Sequence, residues 1–394
     1  IKEEYCMKKL LGLLLVMTMA WPVSANVLDN VDVIGEIEAI GANNNVNMDE
    51  YTGASSRVMA GLSAELTEDV TANIQFVYNT PWNGASQGKD LNTYQDEVYL
   101  AEANIALSNL FDCFELTVGR QFYGEEDSAL LYFGPRHGYM AALASPVTSL
   151  DAAKLTYSDD FKAVTLIAGQ TQRVRFGAAV TEEDADFYGA DIRLNLTDMV
   201  KAQVYGYTYK NTDWASEEFQ GFYGAKVSLT PEAGLLSVEY ARSHDGNRLI
   251  KESHDNPYMV KVDGSLNMDA FTPRAAFIYQ KGLVSEYGAY APGLVWGKTG
   301  FGEYPALALE ETRMFNVGLD YAWNKWTFSV DGFAFQDRTA QHEATLEADL
   351  TATYQHNENV NLFAGIGYAK LGGDYDEFDQ QDATVYQAGI NVKF

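Results

Sequence analysis

Apolar and polar residues alternate without a break over the last stretch of the chain. Tyr386, Ala388, Ile390, Val392 and Phe394 hold one parity, and Gln387, Gly389, Asn391 and Lys393 hold the other. Successive side chains of a strand point to opposite faces, so this period of two describes a strand with one apolar and one polar side. The same pattern returns at Val58, Ala60, Leu62, Ala64 and Leu66, at Val70, Ala72, Ile74, Phe76 and Tyr78, and at Leu346, Ala348 and Leu350. Each run lasts about ten residues, the length of a tilted strand that crosses a bilayer.

The connections sort into two kinds. Eight tight turns are expected at Thr67-Glu68-Asp69, Ser108-Asn109, Asp159-Asp160, Thr197-Asp198, Thr230-Pro231-Glu232, Asn267-Met268-Asp269, Asn324-Lys325 and His356-Asn357-Glu358. Longer stretches alternate with them at 41–53, 79–92, 124–146, 244–257, 281–309 and 371–381. Each piece between turns holds two alternating segments around one longer loop, which predicts an all-β, transmembrane, antiparallel up-and-down β-barrel of 18 strands. Its turns would be periplasmic and its loops extracellular. Pairing of the last strand with the first, near residues 30–40, would leave no open edge. Trp323, Trp326, Tyr321, Tyr354, Tyr368, Tyr386 and Tyr78 fall at expected strand ends, where amphipathic rings favour the headgroup level.

Composition narrows the class further. The 394 residues carry a formal net charge of -28, yet 13% are aromatic, which argues against a disordered acidic chain. The acidity also argues against a nucleic-acid partner. From Met7 the chain reads as a basic segment, an apolar run and the small-residue site Val23-Ser24-Ala25, so residues 7–25 are expected to be a signal peptide. Residues 1–6 are then a start-site artefact and 26–394 the barrel. Cys113 would be the one cysteine left, so no internal disulfide is expected.

With the apolar parity facing lipid, the other parity faces the lumen. Expected pore-lining residues are Arg57, Glu65, Glu102, Glu115, Lys154, Asp191, Arg193, Lys201, Lys226, Glu239, Lys261, Asp263, Arg274, Glu347 and Asp349, with Glu36, Glu38, Asp320, Asp331 and Lys393 on the same side. Acids outnumber bases, which predicts a mixed lumen with weak cation preference. The 124–146 loop carries Leu130, Tyr132, Phe133, Arg136 and His137. Its apolar residues would form a costly exposed patch, so the loop is expected to fold inward as a constriction. Arg120 falls on the outward parity and requires a bulge or a place at the rim. No HExxH, CxxC or Ser-elbow motif stands out, and no cofactor or metal is expected. The acidic runs at 181–186 and 373–382 are candidate sites for divalent cations near lipopolysaccharide.

Three stretches carry a family resemblance: "DEVYLAEANIAL", "FELTVGRQFYGEEDSALLYFGP" with Gly119-Arg120-Gln121, and "YMVKVDGSLNMDAFTPRAAFIYQKG". Together they resemble the alginate-export-type porins. The resemblance implies an outer-membrane barrel with a long inward loop, and export of an anionic polysaccharide along a path lined by Arg57, Arg193 and Arg274. It also implies that terminal Phe394 is an insertion signal read by the barrel assembly machinery. The residues themselves point to a passive or substrate-biased diffusion channel for small hydrophilic solutes or oligosaccharides, in contact with outer-membrane lipid and lipopolysaccharide. The competing expectation is a secreted or outer-membrane all-β carbohydrate-active enzyme.

Overall fold

The computed structural model describes residues 30–46, 49–82, 98–135, 147–171, 185–211, 220–243, 257–282, 293–295, 311–337, 344–370 and 382–394. The expected start-site artefact, residues 1–6, and signal peptide, residues 7–25, lie outside them. Strands β1 (Val31–Val46), β2 (Asp49–Thr67), β3 (Val70–Pro81), β4 (Val98–Leu110) and β5 (Phe114–Gln121) lead to a small hairpin, β6 (Tyr123–Gly124) and β7 (Tyr132–Phe133). Then follow β8 (Leu150–Ser158), β9 (Lys162–Thr171), β10 (Ala185–Asn195), β11 (Val200–Asn211), β12 (Gln220–Leu229), β13 (Gly234–Ser243) and β14 (Tyr258–Leu266). The last are β15 (Phe271–Lys281), β16 (Glu311–Trp323), β17 (Trp326–Asp337), β18 (Thr345–Gln355), β19 (Val360–Lys370) and β20 (Asp382–Lys393). All but β6 and β7 form one 18-stranded sheet. Neighbours in the chain pair antiparallel, β5 pairs β8, and β20 closes on β1 from Glu36↔Lys393 to Asn45↔Thr384. The expected fold class is what the chain adopts. No helix among the described residues is long and apolar enough to cross a membrane.

Every expected tight turn connects two strands, with one displaced. The turn expected at Ser108-Asn109 falls at 111–113, because β4 runs on to Leu110 through a register shift between Leu107 and Leu110. Asn109, Phe111 and Asp112 take positive φ there, and Asn109 Nδ2 donates to Asp69 Oδ1 of the next turn at 2.7 Å. The expected loop at 41–53 is instead mostly strand. β1 and β2 pair as far as Val46↔Asp49, and β20 supports β1 from its other side to Asn45. Two ladders of backbone hydrogen bonds override the low strand propensity of Asn43, Asn44 and Asn45.

The seam is held by more than the ladder. Phe394 exchanges backbone hydrogen bonds with Gly35 at 2.8 and 3.0 Å. A Cβ on Gly35 would lie 2.8 Å from the Phe394 ring and closer still to the Met59 carbonyl oxygen, so only glycine fits between the two. On the inner face Asn391 donates to Glu36, which with Glu38 flanks Arg57. A slip of one residue would turn both acids towards lipid, so this network opposes misregistered closure.

The outward parity carries Leu346 and Leu350, each about half exposed, on β18, and Val317 and Phe315 on β16. Near the turns, Trp326 packs on Tyr354 with centroids 4.9 Å apart, and Phe271 on Tyr321 at the same separation. Arg120 is outward, beside a bulge. The register shift between Gln75 and Phe76 marks a bulge in β4. Arg120 Nη1 donates to the carbonyl of Leu100 there at 3.1 Å, while its other nitrogens make a two-pronged pair with Asp151 at 2.8 and 2.7 Å.

Candidate functional site

Inside the barrel the inward parity splits by height. Towards the turns it is polar and charged. Towards the loops it turns apolar: Phe187, Tyr205, Tyr207, Tyr209, Phe222, Met259, Ile278, Met314, Phe333 and Phe335 are all buried. Tyr205, Tyr207 and Tyr209 share the parity of Lys201, so period-two counting alone places them inside; the rule that apolar means lipid-facing hides them.

The hairpin β6–β7 enters this space. Ser128 Oγ accepts the N–H groups of Leu130 and Leu131 at 3.2 and 3.1 Å, which closes its turn. Leu130, Leu131 and Phe133 are buried in the apolar layer, and Phe133 meets Phe187 edge-on at 5.6 Å. Tyr132 is half-buried, its hydroxyl donating to the carbonyl of Pro135 at 3.0 Å. Leu130, Leu131 and Phe133 of the 124–146 loop are thus hidden within the barrel, while 136–146, with Arg136 and His137, lie outside the described residues.

Acids at the hairpin turn meet cations on the wall. Glu125 bridges Arg193 of β10 at 3.3 Å and Lys226 of β12 at 3.1 Å. Asp127 lies 3.9 Å from Lys261 of β14, which also donates to its backbone carbonyl at 3.0 Å. Asp191 accepts from Arg193 at 3.0 Å and from Gln203, and Glu239 from Tyr205. All of these groups but Asp191 line a cavity of about 40 Å³ between hairpin and wall. Sequence reasoning missed Glu125 and Asp127, the counter-charges of its own lumen cations.

The other expected lumen residues also fall on the inward parity. Lys154 pairs with exposed Glu115 at 3.8 Å, and Asp263 lies 3.9 Å from Lys261. Arg274 holds Asp320 at 3.1 Å and Asp331 at 2.5 Å. Glu102 is half-buried, and Glu65 and Lys201 are exposed at the turn end. Arg57 is fully buried against Glu38 at 3.1 Å.

A second inward segment, Gly293–Val295, was not expected. It belongs to the long connection from β15 to β16, and all three residues are buried. Leu294 N–H donates to Asp349 Oδ2 at 2.8 Å and Val295 N–H to Glu347 Oε1 at 2.7 Å. Gly367 of β19 makes the seat: a Cβ there would lie 2.6 Å from Asp349 Oδ1 and 2.9 Å from both Leu294 Cβ and Val295 Cγ2. The "GIG" within β19 was a visible signal, since a strand spends glycine where another backbone comes close. The acidic runs at 181–186 and 373–382 fall largely outside the described residues, and no metal-holding cluster occurs among the described ones.

No family model and no curated protein matches the chain. Solved structures do. The crystal structure of OpdL from Pseudomonas aeruginosa is 12% identical, with a TM-score of 0.65 over 93% of this chain and 99% of that one. OpdK of the same organism, in a structure with vanillate, is 11% identical with a TM-score of 0.62 over 92% and 98%. OccAB4 of Acinetobacter baumannii is 13% identical with a TM-score of 0.61 over 93% and 98%. The resemblance to alginate-export-type porins finds no support in these comparisons. It rested on strand patterns and one Gly-Arg-Gln triplet, and Arg120 of that triplet faces outward and donates to the Leu100 carbonyl at the bulge of β4. The chain has the fold of the Occ and Opd outer-membrane channels, at an identity that speaks for the fold alone.

Proposed function

We propose that the protein is a porin of a Gram-negative outer membrane, a passive, substrate-biased diffusion channel for small hydrophilic solutes or oligosaccharides. The observation that carries this reading is the hairpin β6–β7, latched by Glu125 and Asp127 across the lumen of a closed barrel beside a cavity with both charge signs and aromatic walls. The residues that enclose this space are arranged to sieve and orient a solute. Outer-membrane lipid, lipopolysaccharide and, through the strand ending at Phe394, the barrel assembly machinery are its proposed partners.

Selectivity follows from the pairing. Arg57, Lys154, Arg193, Lys226, Lys261 and Arg274 each sit beside a carboxylate. A carboxylate solute, such as the vanillate found with OpdK, would have to displace Glu125 or Asp127 to reach Arg193, Lys226 or Lys261. We therefore expect weak cation preference and poor uptake of simple anions. Planar-bilayer recording with a KCl gradient tests both halves of the proposal. Discrete channels with a cation-sided reversal potential support it, anion selectivity removes the cation preference, and a folded barrel without conductance that hydrolyses a glycan panel favours the enzyme.

A further inference from the structure

The outward face of β13 to β16 carries a cluster that the channel reading leaves unused. Tyr240, Tyr258 and Tyr279 form a strip of rings, with centroids 6.4 Å apart between the first two and 5.5 Å between the last two. Arg313 lies over the Tyr279 ring at 5.7 Å, and the Tyr279 hydroxyl donates to Glu311 at 2.8 Å. Arg242 is the register partner of Tyr258, Arg313 of Tyr279, and Lys281 of Glu311. All lie on the parity opposite buried Ala241, Met259, Ile278, Met314 and Thr312, so they point away from the lumen.

Their height is fixed by the strands. Arg313 and Trp323 are both outward residues of β16, ten positions apart. At about 3.3 Å per residue and a tilt near 40°, that is roughly 25 Å of height, the thickness of the apolar band of an outer-membrane barrel. Trp323 stands at the turn side, so Arg313 stands at the outer headgroup level. Among the described residues there, Arg242, Lys281 and Arg313 face out around Glu311, in a chain whose net charge is -28. Rings with one wet edge and cations beside them suit an interface that presents phosphate.

We propose that this face binds the phosphorylated glycolipid of the outer leaflet, with Arg242, Lys281 and Arg313 on its phosphates and Tyr240, Tyr258 and Tyr279 against its sugars and proximal acyl carbons. The proposal rests on the outer-membrane reading and places one of its partners on named residues. An anionic leaflet around an acidic protein needs such a point of opposite charge, and the polar outward residues nearest the loops on β17 and β3, Gln336 and Thr80, carry none.

Native mass spectrometry of the detergent-purified protein with bisphosphorylated lipid A tests it. Single attractions near an anionic surface change binding about fivefold, so Arg242→Gln, Lys281→Gln and Arg313→Gln combined weaken it about a hundredfold. Arg313→Gln alone, for the case in which the triple variant fails to fold, weakens it about fivefold. Lipid A stripped of its phosphates binds the wild type as weakly as lipid A binds the triple variant. Unchanged affinity in the variants overturns the proposal, as does an equal loss in a Lys210→Gln, Lys370→Gln control on other sectors. Competition by inorganic phosphate at concentrations equal to the lipid makes it a free-anion site and overturns it too. Single-channel conductance of the variants stays at the wild-type value, so the channel reading stands or falls separately.

Discussion

Leu350→Arg tests the inside-outside assignment at its most sensitive point. Leu350 is the middle residue of β18, outward and 49% exposed, with Val330 and Ile366 as register partners on either side. Five residues separate it from each strand end, about 16 Å along the strand and about 13 Å in height at a tilt near 40°. That places it near the midplane of a band about 25 Å tall, where an arginine costs about 2 to 4 kcal/mol. The folding equilibrium constant should fall about 30- to 700-fold, since 1.4 kcal/mol is a factor of ten. Leu346, one residue from the loop-side end of the strand, is a depth control, and Leu346→Arg should cost about 0 to 1 kcal/mol. Asp349→Asn changes the very next residue but faces the lumen. The amide oxygen can still accept the Leu294 N–H, so the cost should stay under about 1 kcal/mol. Urea titration of folding into lipid vesicles, read by heat-modifiable gel migration, measures all three. A larger loss for Asp349→Asn than for Leu350→Arg would refute the assignment, and equal losses at Leu346 and Leu350 would refute the depth.

Removing residues 125–131 takes away Glu125, Asp127, Leu130 and Leu131 and is expected to raise single-channel conductance; an unchanged value in a heat-modifiable barrel would end the constriction idea. Gly367→Leu fills the seat of Leu294 and Val295, and should raise accessibility of a cysteine placed at Leu294 to a thiol reagent without unfolding the barrel. Arg120→Ala strands Asp151 on the outer face beside an unanswered Leu100 carbonyl, at about 1 to 3 kcal/mol in the same urea assay. Arg120→Met with Asp151→Leu should recover most of that loss, and no recovery would mean that the pair does more than satisfy itself. Cation preference should fade between 0.01 and 1 M KCl as the Debye length shrinks from about 30 to about 3 Å, whereas a salt-independent reversal potential would point to local ion binding.

What could be read from the sequence was what a local rule determines. Leu346, Ala348 and Leu350 against Glu347 and Asp349 need only period two, and the Asn324-Lys325 turn needs only its residue types. Those two rules, repeated, yield the strand count and closure. The loop-side half of the lumen escaped because its rule is not local: Phe187, Phe333 and Phe335 face inward since a hairpin folds back to cover them, and no residue near them in sequence announces it. The same holds for charge. Arg193, Lys226 and Lys261 read as free lumen cations until Glu125 and Asp127 arrive from a different part of the chain. A lumen census taken strand by strand therefore overstates the positive charge that a solute meets. The error has one sign, because the loop brings acids to a row of bases. It follows that deleting the loop should do more than widen the pore. Exposing Arg193, Lys226 and Lys261 together should move its selectivity towards anions, so the reversal potential of the shortened barrel separates a latch of charge from a plug of volume.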